Sequence, residues 1–255
     1  MTEFGFTSAL VTGASSGIGA AMARRLGAAG VATTVVARRA DRLDELARAY
    51  PSIDVLVADL TTIDGVAAVE DRLASGSYDL VVNNAGFGTS GSFHTLDPDR
   101  LDREIALNVR ALTRLSHAAL RSMVPRGRGH LLNVSSVAGF QAAPHLAVYA
   151  ATKAYVTSLT ESLHEEVRGT GVRVTALCPG LTRTEFIDVS NQSGRTATYP
   201  RFMWMEADQV AAVALDDVGR GRALSVPGVL YRTLVAASGA APRRVVRRLR
   251  RRLRR

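Results

Sequence analysis

The sequence contains one cysteine, one lysine and only 5% aromatic residues, and it lacks a long hydrophobic run. Because Cys178 has no second cysteine to pair with, an internal disulfide is excluded, and its apolar surroundings predict a small core residue. No run of about 18 apolar residues is free of charge, so the sequence predicts no transmembrane helix. The five histidines are not spaced as metal ligands, which predicts no metal site.

The strand-like run SALVTG begins at Ser8, which leaves no room for a signal peptide, and we expect a cytoplasmic protein. The composition, 47% hydrophobic and 22% charged, is typical of a globular protein. A chain of 255 residues is long enough to bury a sizeable core, in one large domain or two small ones.

Positive charge is concentrated at one end of the chain. The net charge is +9, and residues 242–255 hold nine arginines and no acid. Without these nine, the 32 basic residues fall to 23, which equals the number of acidic residues. The net positive charge therefore belongs to the tail, and the rest of the chain is neutral.

Apolar residues Val245, Leu249 and Leu253 recur every four positions in this tail, which predicts a basic amphipathic helix. Such a helix suits peripheral contact with an anionic membrane, or with an acidic partner protein. A solvated tail without a partner is the plain alternative. Nucleic acid is a less favoured partner, because the body of the chain carries no excess of basic residues.

Short apolar runs alternate with longer helical patterns along the chain. The runs at 9–12, 33–37, 53–58, 80–83, 130–134 and 172–178 predict strands, and 18–30, 41–50, 62–74, 98–123 and 148–168 predict helices. Continuous apolar strands are typical of a sheet covered on both faces. We predict a doubly wound parallel α/β sheet, the Rossmann fold, in a single catalytic domain over 1–228, with a C-terminal extension over 229–255. The looser pattern over 182–205 favours a substrate lid, or else a surface loop.

A glycine-rich turn, TGASSGIG at 12–19, lies between the first strand and the first helix. Glycines at 13, 17 and 19 allow a tight turn and close approach of a ligand to the backbone. The N-terminus of the following helix offers N–H groups and a positive dipole end to a pyrophosphate. The turn therefore predicts dinucleotide binding, although a strand-to-helix turn can use glycines for geometry alone.

Two arginines, Arg38 and Arg39, follow the second strand, where an enzyme that prefers NAD usually has an acid. Guanidinium groups suit a ribose 2′-phosphate, so this pair predicts NADP(H), with Ser15 as a further hydroxyl donor. Asp59 and Leu60 end the third strand. Asn83 and Asn84, in the NNAG run at 83–86, are expected to bond backbone groups and the adenine side of the cofactor.

Tyr149 and Lys153 are the most specific pair in the sequence. At i and i+4 of a helix they share one face, where we expect the ammonium to lower the pKa of the phenol. Ser136 ends the fifth strand, at the same sheet edge, where its hydroxyl is expected to hold a carbonyl oxygen. The plain alternative for Tyr-x-x-x-Lys is a pair on the protein surface. Against it, three independent motifs occur in order around one edge of the predicted sheet.

Taken together, these motifs resemble the short-chain dehydrogenase/reductase family over roughly residues 7–184. The resemblance implies hydride transfer between NADP(H) and a carbonyl or alcohol, with a catalytic set of Asn108, Ser136, Tyr149 and Lys153. It implies that Tyr149 exchanges the proton, that Lys153 also holds the nicotinamide ribose, and that Asn108 supports a water relay. The cofactor-binding set that it implies is Gly13, Ser15, Ser16, Gly17, Ile18, Gly19, Arg38, Arg39, Asp59, Leu60, Asn84, Ala85, Gly86, Tyr149, Lys153, Pro179, Gly180, Thr182 and Thr184.

The substrate and the assembly are less sharply predicted. Scattered apolar side chains suggest a hydrophobic carbonyl, of a lipid or 3-oxoacyl kind: Phe93, Phe140, His145, Phe186, Tyr199, Phe202, Trp204 and Met205. The family resemblance implies a homodimer or homotetramer through the helices at 98–123 and 148–168. The alternative function is a dinucleotide sensor or scaffold that recruits a partner through the basic tail without turnover.

Overall fold

A computed structural model of the protein describes residues 5–191 and 199–240. The basic tail predicted over 242–255 and part of the predicted lid, 192–198, lie outside the described residues. Within the described part, no helix combines the length and the apolar character that crossing a membrane needs.

Seven parallel strands form the central sheet. They are β1 (Ser8–Thr12), β2 (Ala32–Ala37), β3 (Ile53–Val57), β4 (Leu80–Asn83), β5 (Gly129–Val134), β6 (Val172–Leu177) and β9 (Leu224–Ser225). Their order across the sheet is β3-β2-β1-β4-β5-β6-β9, and every neighbouring pair is parallel. Two shorter strands, β7 (Thr182–Arg183) and β8 (Met205–Glu206), pair with each other outside this sheet.

Helices cover the sheet on both faces. They are α1 (Gly17–Ala28), α2 (Ala40–Ala49), α3 (Ile63–Ser75), α4 (Pro98–Ile105), α5 (Leu112–Arg126), α6 (Ala147–Glu166), α7 (Phe186–Val189), α8 (Ala207–Gly219) and α9 (Val229–Ala240). A π-helical stretch, Ala106–Ala111, joins α4 to α5, so the chain is helical from 98 to 126.

Apolar side chains form one cluster on each face of the sheet. Val11 of β1 packs with Met22 of α1 and Leu215 of α8, whereas its neighbour Leu10 packs with Leu115 of α5 on the other face. Successive strand residues point to opposite faces, so a strand covered on both sides must be apolar throughout. The predicted doubly wound fold is confirmed, and the predicted strands and helices lie close to the observed ones. The two-residue strands β7, β8 and β9 are too short to have been read from the sequence.

The order of the strands brings distant parts of the chain to one edge. Strand β1 lies between β2 and β4, and β5 lies beside β4, so the carboxyl ends of these four strands are neighbours. In a doubly wound sheet, this is the edge at which ligands bind.

Candidate cofactor site and active site

The turn after β1 takes the shape that its glycines were predicted to allow. Gly13 and Gly17 have φ angles of +67° and +57°, in the left-handed region that side chains disfavour. A Cβ on Gly13 would lie 2.8 Å from the Cα of Ala85. Ser16 precedes α1 without capping it by its side chain. The first amides of α1 therefore face the turn ready for an anion, and the cradle fits the pyrophosphate of the predicted cofactor.

Asn84 fixes the distance between β4 and this turn. Its amide nitrogen donates to the carbonyl oxygens of Thr12 at 2.9 Å and Gly13 at 3.2 Å. The hydroxyl of Thr12 in return accepts from the backbone N–H groups of Asn84 and Ala85, at 3.0 and 3.1 Å. The crevice between β1 and β4 is thus held by reciprocal hydrogen bonds. Thr12 takes part in them, although no sequence pattern had marked this residue.

The neighbouring Asn83 does not take the predicted role. Its side chain is buried and donates to the hydroxyl of Ser116 and the side-chain oxygen of Asn133. The expectation that both asparagines reach the adenine side is therefore wrong for Asn83. Alternation along β4 directs it into the core, beneath α5, while Asn84 lies just beyond the strand.

At the end of β2, the structure brings Arg39 and Ser15 together. The Nε and Nη2 atoms of Arg39 donate to the Ser15 hydroxyl at 3.2 and 3.0 Å. Arg38 is directed more to solvent, with its Nη1 atom 3.9 Å from a carboxylate oxygen of Asp59. The other Asp59 oxygen accepts from the amide and hydroxyl of Thr61. The Leu60 side chain lies in the core, so only its backbone is available to a ligand.

Tyr149, Lys153 and Ser136 meet at the carboxyl end of β5, each less than a tenth exposed. The Ser136 hydroxyl accepts from the Ala138 amide at 3.1 Å, and it lies near enough to Tyr149 to act on the pKa of the phenol. Lys153 donates from Nζ to the carbonyl oxygen of Val134 at 2.7 Å. The same ammonium lies 5.8 Å from the centre of the Tyr149 ring. The predicted catalytic groups are thus adjacent, and the pair is a buried one rather than a surface pair.

The protonation of this pair differs from the prediction. Burial raises the pKa of Tyr149 to about 12; the hydrogen bond from Ser136 opposes this rise, and the carboxylate of Glu104 adds to it. Burial lowers the pKa of Lys153 to about 8. The expectation that Lys153 lowers the pKa of Tyr149 is therefore not met in the protein alone. Removing a phenolate from water is costly, and the nearby ammonium is itself destabilised by burial.

Asn108 lies in the π-helical stretch between α4 and α5 and is fully buried. Its amide nitrogen donates to the carbonyl oxygen of Phe87 at 2.8 Å and to the hydroxyl of Thr152 at 3.1 Å. Its amide oxygen accepts from the N–H of Phe87 at 3.2 Å. The side chain therefore ties the loop after β4 to α6, one residue before Lys153. π-Helical insertions are frequent at functional sites.

The loop after β4 approaches the catalytic side chains closely because it carries glycines. A Cβ on Gly86 would lie 2.9 Å from the side-chain oxygen of Asn108 and 3.5 Å from the Lys153 nitrogen. Gly88 lies over the Tyr149 ring and donates its N–H to the hydroxyl of Ser190 at 3.1 Å. Any side chain at position 86 would occupy the space that a ligand needs beside Lys153.

The segment after β6 runs back over the glycine turn. The carbonyl oxygen of Pro179 accepts from the N–H of Val137, and the Thr182 hydroxyl donates to the carbonyl oxygen of Gly180. The Thr184 side chain lies against Gly17, within 3.1 Å of the position that a Cβ there would take. Thr184 therefore lies at the mouth of the predicted cofactor site, whereas Thr182 turns away into the backbone.

Two buried residues near the site, Tyr231 and Glu104, were not predicted from the sequence. Tyr231 of α9 packs on Gly180; its hydroxyl accepts from the Leu181 amide at 3.0 Å and donates to the carbonyl oxygen of Met203 at 2.7 Å. Glu104 is fully buried, and its pKa is raised to about 7 by burial, against the influence of Thr89 and nearby cations. No sequence signal marks Tyr231. A carboxylate one helical turn before Asn108 could have marked Glu104.

The aromatic side chains proposed as a pocket are dispersed. The Phe186 ring packs on Tyr149, with their centres 5.3 Å apart. Phe93 instead lines an outer groove between α4 and α6, and Phe202 is 77% exposed. In the two described ranges, no group of three His, Cys, Asp or Glu side chains is placed to hold a metal ion.

Comparisons with known proteins show what the sequence and the fold of this chain resemble. A family model described as short chain dehydrogenase matches residues 7–194. An uncharacterized oxidoreductase of Myxococcus xanthus is 38% identical over 199 residues, which cover 75% of this chain and 78% of the relative.

Two solved structures are also similar. A short-chain dehydrogenase from Sphingobium yanoikuyae in complex with NADPH is 35% identical, with a TM-score of 0.82, over 91% of this chain and 94% of that one. The bulky-bulky ketone specific alcohol dehydrogenase from Comamonas testosteroni is 34% identical, with a TM-score of 0.78, over 92% of each chain.

Proposed function

Because this chain belongs to the short-chain dehydrogenase family, whose model matches residues 7–194, we propose that it reduces a ketone or aldehyde to an alcohol with NADPH. The resemblance inferred from the motifs is confirmed, as is the assignment to oxidoreductases that act on CH–OH or C=O groups. NADP(H) is the cofactor, in agreement with the NADPH complex of the Sphingobium yanoikuyae relative. The roles of individual side chains and the substrate are our proposal.

The observation that carries the proposal is the buried phenol of Tyr149 beside Ser136 and Lys153. Burial raises the pKa of this phenol to about 12, so Tyr149 carries its proton at neutral pH. A protonated phenol can donate to a forming alkoxide, which is the more basic group. This arrangement favours the reductive direction, in which the enzyme must supply a proton rather than remove one.

When bound, the reduced nicotinamide supplies a hydride, whose electron pair forms the new C–H bond at the carbonyl carbon. Tyr149 gives its proton to the carbonyl oxygen as the C=O π bond opens, which leaves an alcohol and a phenolate. Ser136 holds the carbonyl oxygen beside that proton. Lys153 stabilises the phenolate until water restores its proton. Asn108 acts by fixing the loop at 86–88 and α6, since its side-chain hydrogen bonds go to Phe87 and Thr152.

Arg39 and Ser15 form the site proposed for the ribose 2′-phosphate. Their side chains are hydrogen-bonded at the end of β2, and a guanidinium can bind phosphate through two parallel N–H groups. The uncapped amides of α1 are proposed to bind the pyrophosphate.

An apolar ketone is the proposed substrate class. Phe186 presents an aromatic ring beside Tyr149, and the Comamonas testosteroni relative is described as specific for bulky-bulky ketones. A screen of ketones, aldehydes and 3-oxoacyl thioesters, followed by loss of NADPH absorbance, tests this proposal. We expect Tyr149→Phe to abolish the turnover found, while Tyr50→Phe, which removes a hydroxyl outside the site, leaves it unchanged. Turnover at the wild-type rate in Tyr149→Phe would refute the role of Tyr149.

We also propose that the protein assembles as a homodimer or homotetramer through α4, α5 and α6. An open apolar groove of about 430 Å³ runs between α4 and α6 and is lined by Phe93, Ile105, Val109, Ala147, Val148, Ala151, Thr152 and Tyr155. Phe93 and Ile105 are 63% and 44% exposed, which is costly unless another surface covers them. We also propose that the protein is located in the cytoplasm.

A further inference from the structure

A carboxylate links the predicted cofactor site to the segment that precedes α7. Oε2 of Glu185 accepts from Nη1 of Arg39 at 2.9 Å, and Oε1 lies 4.0 Å from Nη2 of Arg42. Arg39 and, more weakly, Ser16 in the glycine turn lower the pKa of Glu185. Arg39 and Glu185 are 146 positions apart in the sequence, so this ion pair bridges the end of β2 and the segment after β7.

Glu185 is itself held in place by its two neighbours in the chain. The side chain of Thr184 lies against Gly17, and the ring of Phe186 packs on Tyr149. These contacts fix the backbone on both sides of Glu185. Its carboxylate therefore reaches Arg39 from a stretch of backbone that is restrained on both sides.

The two edges of the Arg39 guanidinium have different partners. Nη1 is bonded to Glu185, whereas Nε and Nη2 both point at the hydroxyl of Ser15. The Nε–Nη2 edge is one of those that can bind a phosphate through two parallel N–H groups. The carboxylate of Glu185 does not occupy that edge. It occupies the remaining nitrogen and leaves the bidentate edge directed at Ser15.

We propose that Glu185 is a positioning residue for cofactor selection, which holds Arg39 so that its Nε–Nη2 edge is set for a phosphate on the ribose 2′-position. This inference rests on the proposed role of Arg39 and Ser15 and assigns a reason for their orientation. An unrestrained arginine side chain loses conformational entropy when it binds, and an arginine already held loses less. Repulsion between the Glu185 carboxylate and the phosphate opposes this gain, but the Glu185 side chain is 43% exposed, so salt screens this repulsion.

Binding of nucleotide fragments tests the inference without turnover. Adenosine 2′,5′-bisphosphate and adenosine 5′-monophosphate differ only by the 2′-phosphate, and calorimetric titration gives their dissociation constants. We expect Glu185→Ala to weaken binding of the bisphosphate about fivefold, and to leave binding of the monophosphate unchanged. Glu185→Gln, which keeps an oxygen acceptor for Arg39, should give an intermediate affinity. With NADPH as cofactor, the KM for NADPH should rise while kcat stays constant, because the lost interaction acts on binding alone.

Asp208→Ala is the matched control, because it removes one negative charge and one exposed ion pair, to Arg25 at 2.6 Å, that joins α1 to α8. Its affinities should equal those of the wild type, and melting temperatures verify that each variant is folded. Unchanged or tighter binding of the bisphosphate by Glu185→Ala, together with weaker binding by Arg39→Ala, would overturn the role of Glu185 alone. If Arg39→Ala also binds the bisphosphate as the wild type does, both the proposed phosphate site and the inference about Glu185 are refuted.

Discussion

Three ionisable side chains, Tyr149, Lys153 and Glu104, lie almost fully out of water in one region of the molecule. Burial disfavours the charged form of each, so it raises the pKa of the phenol and of the carboxyl and lowers that of the ammonium. The charges of Glu104 and Lys153 oppose these two shifts: the ammonium lowers the pKa of Glu104, and the carboxylate raises the pKa of Lys153. Perturbed groups of this kind are typical of functional sites.

Lys153 is the one lysine among 31 arginines, and its position explains why an arginine would not serve. Its compact ammonium fits between the carbonyl oxygen of Val134 and Gly86, where a planar guanidinium would not. We expect Lys153→Arg to fold and to lose activity by about 100-fold or more, as measured by NADPH oxidation. Circular dichroism checks the fold, and near-normal turnover of a folded variant would refute the role given to Lys153.

The pH dependence of the wild-type enzyme offers a second test of Lys153. Because burial lowers its pKa to about 8, the side chain is charged below that pH and becomes neutral above it. We therefore expect kcat/KM for carbonyl reduction to fall as pH rises through about 8. The residual activity of Lys153→Arg should lack this fall, since a guanidinium keeps its charge there. The same decline in both proteins would assign it to another group.

Glu104 predicts a pH effect on stability. Its pKa is about 7 in the folded protein and 4.5 ordinarily, so between these values the folded state keeps a proton that the unfolded state has released. The free energy of unfolding should therefore fall as pH rises through this window, by on the order of 3 kcal/mol. Urea unfolding of Glu104→Gln at several pH values should show a smaller fall. Glu45→Gln, at an exposed position, should follow the wild type. Parallel curves for wild type and Glu104→Gln would contradict this prediction.

At the scale of elements, short connections rather than the sheet itself enclose the site. The π-helical stretch Ala106–Ala111 places Asn108 against the loop after β4, and α7 places its first residue on Tyr149. On the other side, Tyr231 of α9 bonds the backbone just before β7, at Leu181, and shortly before β8, at Met203. Helix α9 thereby links the backbone that follows β6 to the backbone that precedes β8.

Removal of the Tyr231 hydroxyl tests this link between elements. Tyr231→Phe leaves an N–H and a carbonyl without their partner, which should lower the free energy of unfolding by about 1–3 kcal/mol. Urea unfolding measures the change. Tyr50→Phe is the control, because the described residues offer the Tyr50 hydroxyl no hydrogen bond, and its change should be within about 0.5 kcal/mol. Equal changes in the free energy of unfolding of the two variants would show that the hydrogen bonds of Tyr231 to Leu181 and Met203 do not stabilise the fold.

At the scale of the whole molecule, the outer groove between α4 and α6 predicts how copies associate. Ala151 lies exposed within this groove, so Ala151→Arg would place a charge in the proposed interface. We expect light scattering to give a dimer or tetramer for the wild type and a smaller assembly for Ala151→Arg. Ala68→Arg, on the exposed face of α3, should keep the wild-type mass. An unchanged mass for Ala151→Arg would place the interface elsewhere.

The sequence by itself determined the fold and the identity of the site. Continuous apolar strands, the glycine turn and the i, i+4 spacing of Tyr149 and Lys153 are local patterns, and each one constrains the backbone where it occurs. Since the carboxyl ends of parallel strands share one edge, the order of the motifs was sufficient to place them together.

Only the tertiary structure decided the properties that depend on burial and on contacts between distant residues. The high pKa of Tyr149, the core position of Asn83 and the ion pair between Arg39 and Glu185 are of this kind. None follows from a local pattern, because desolvation depends on all the atoms packed around a group, and the partners of a side chain are set by how elements far apart in the chain come together.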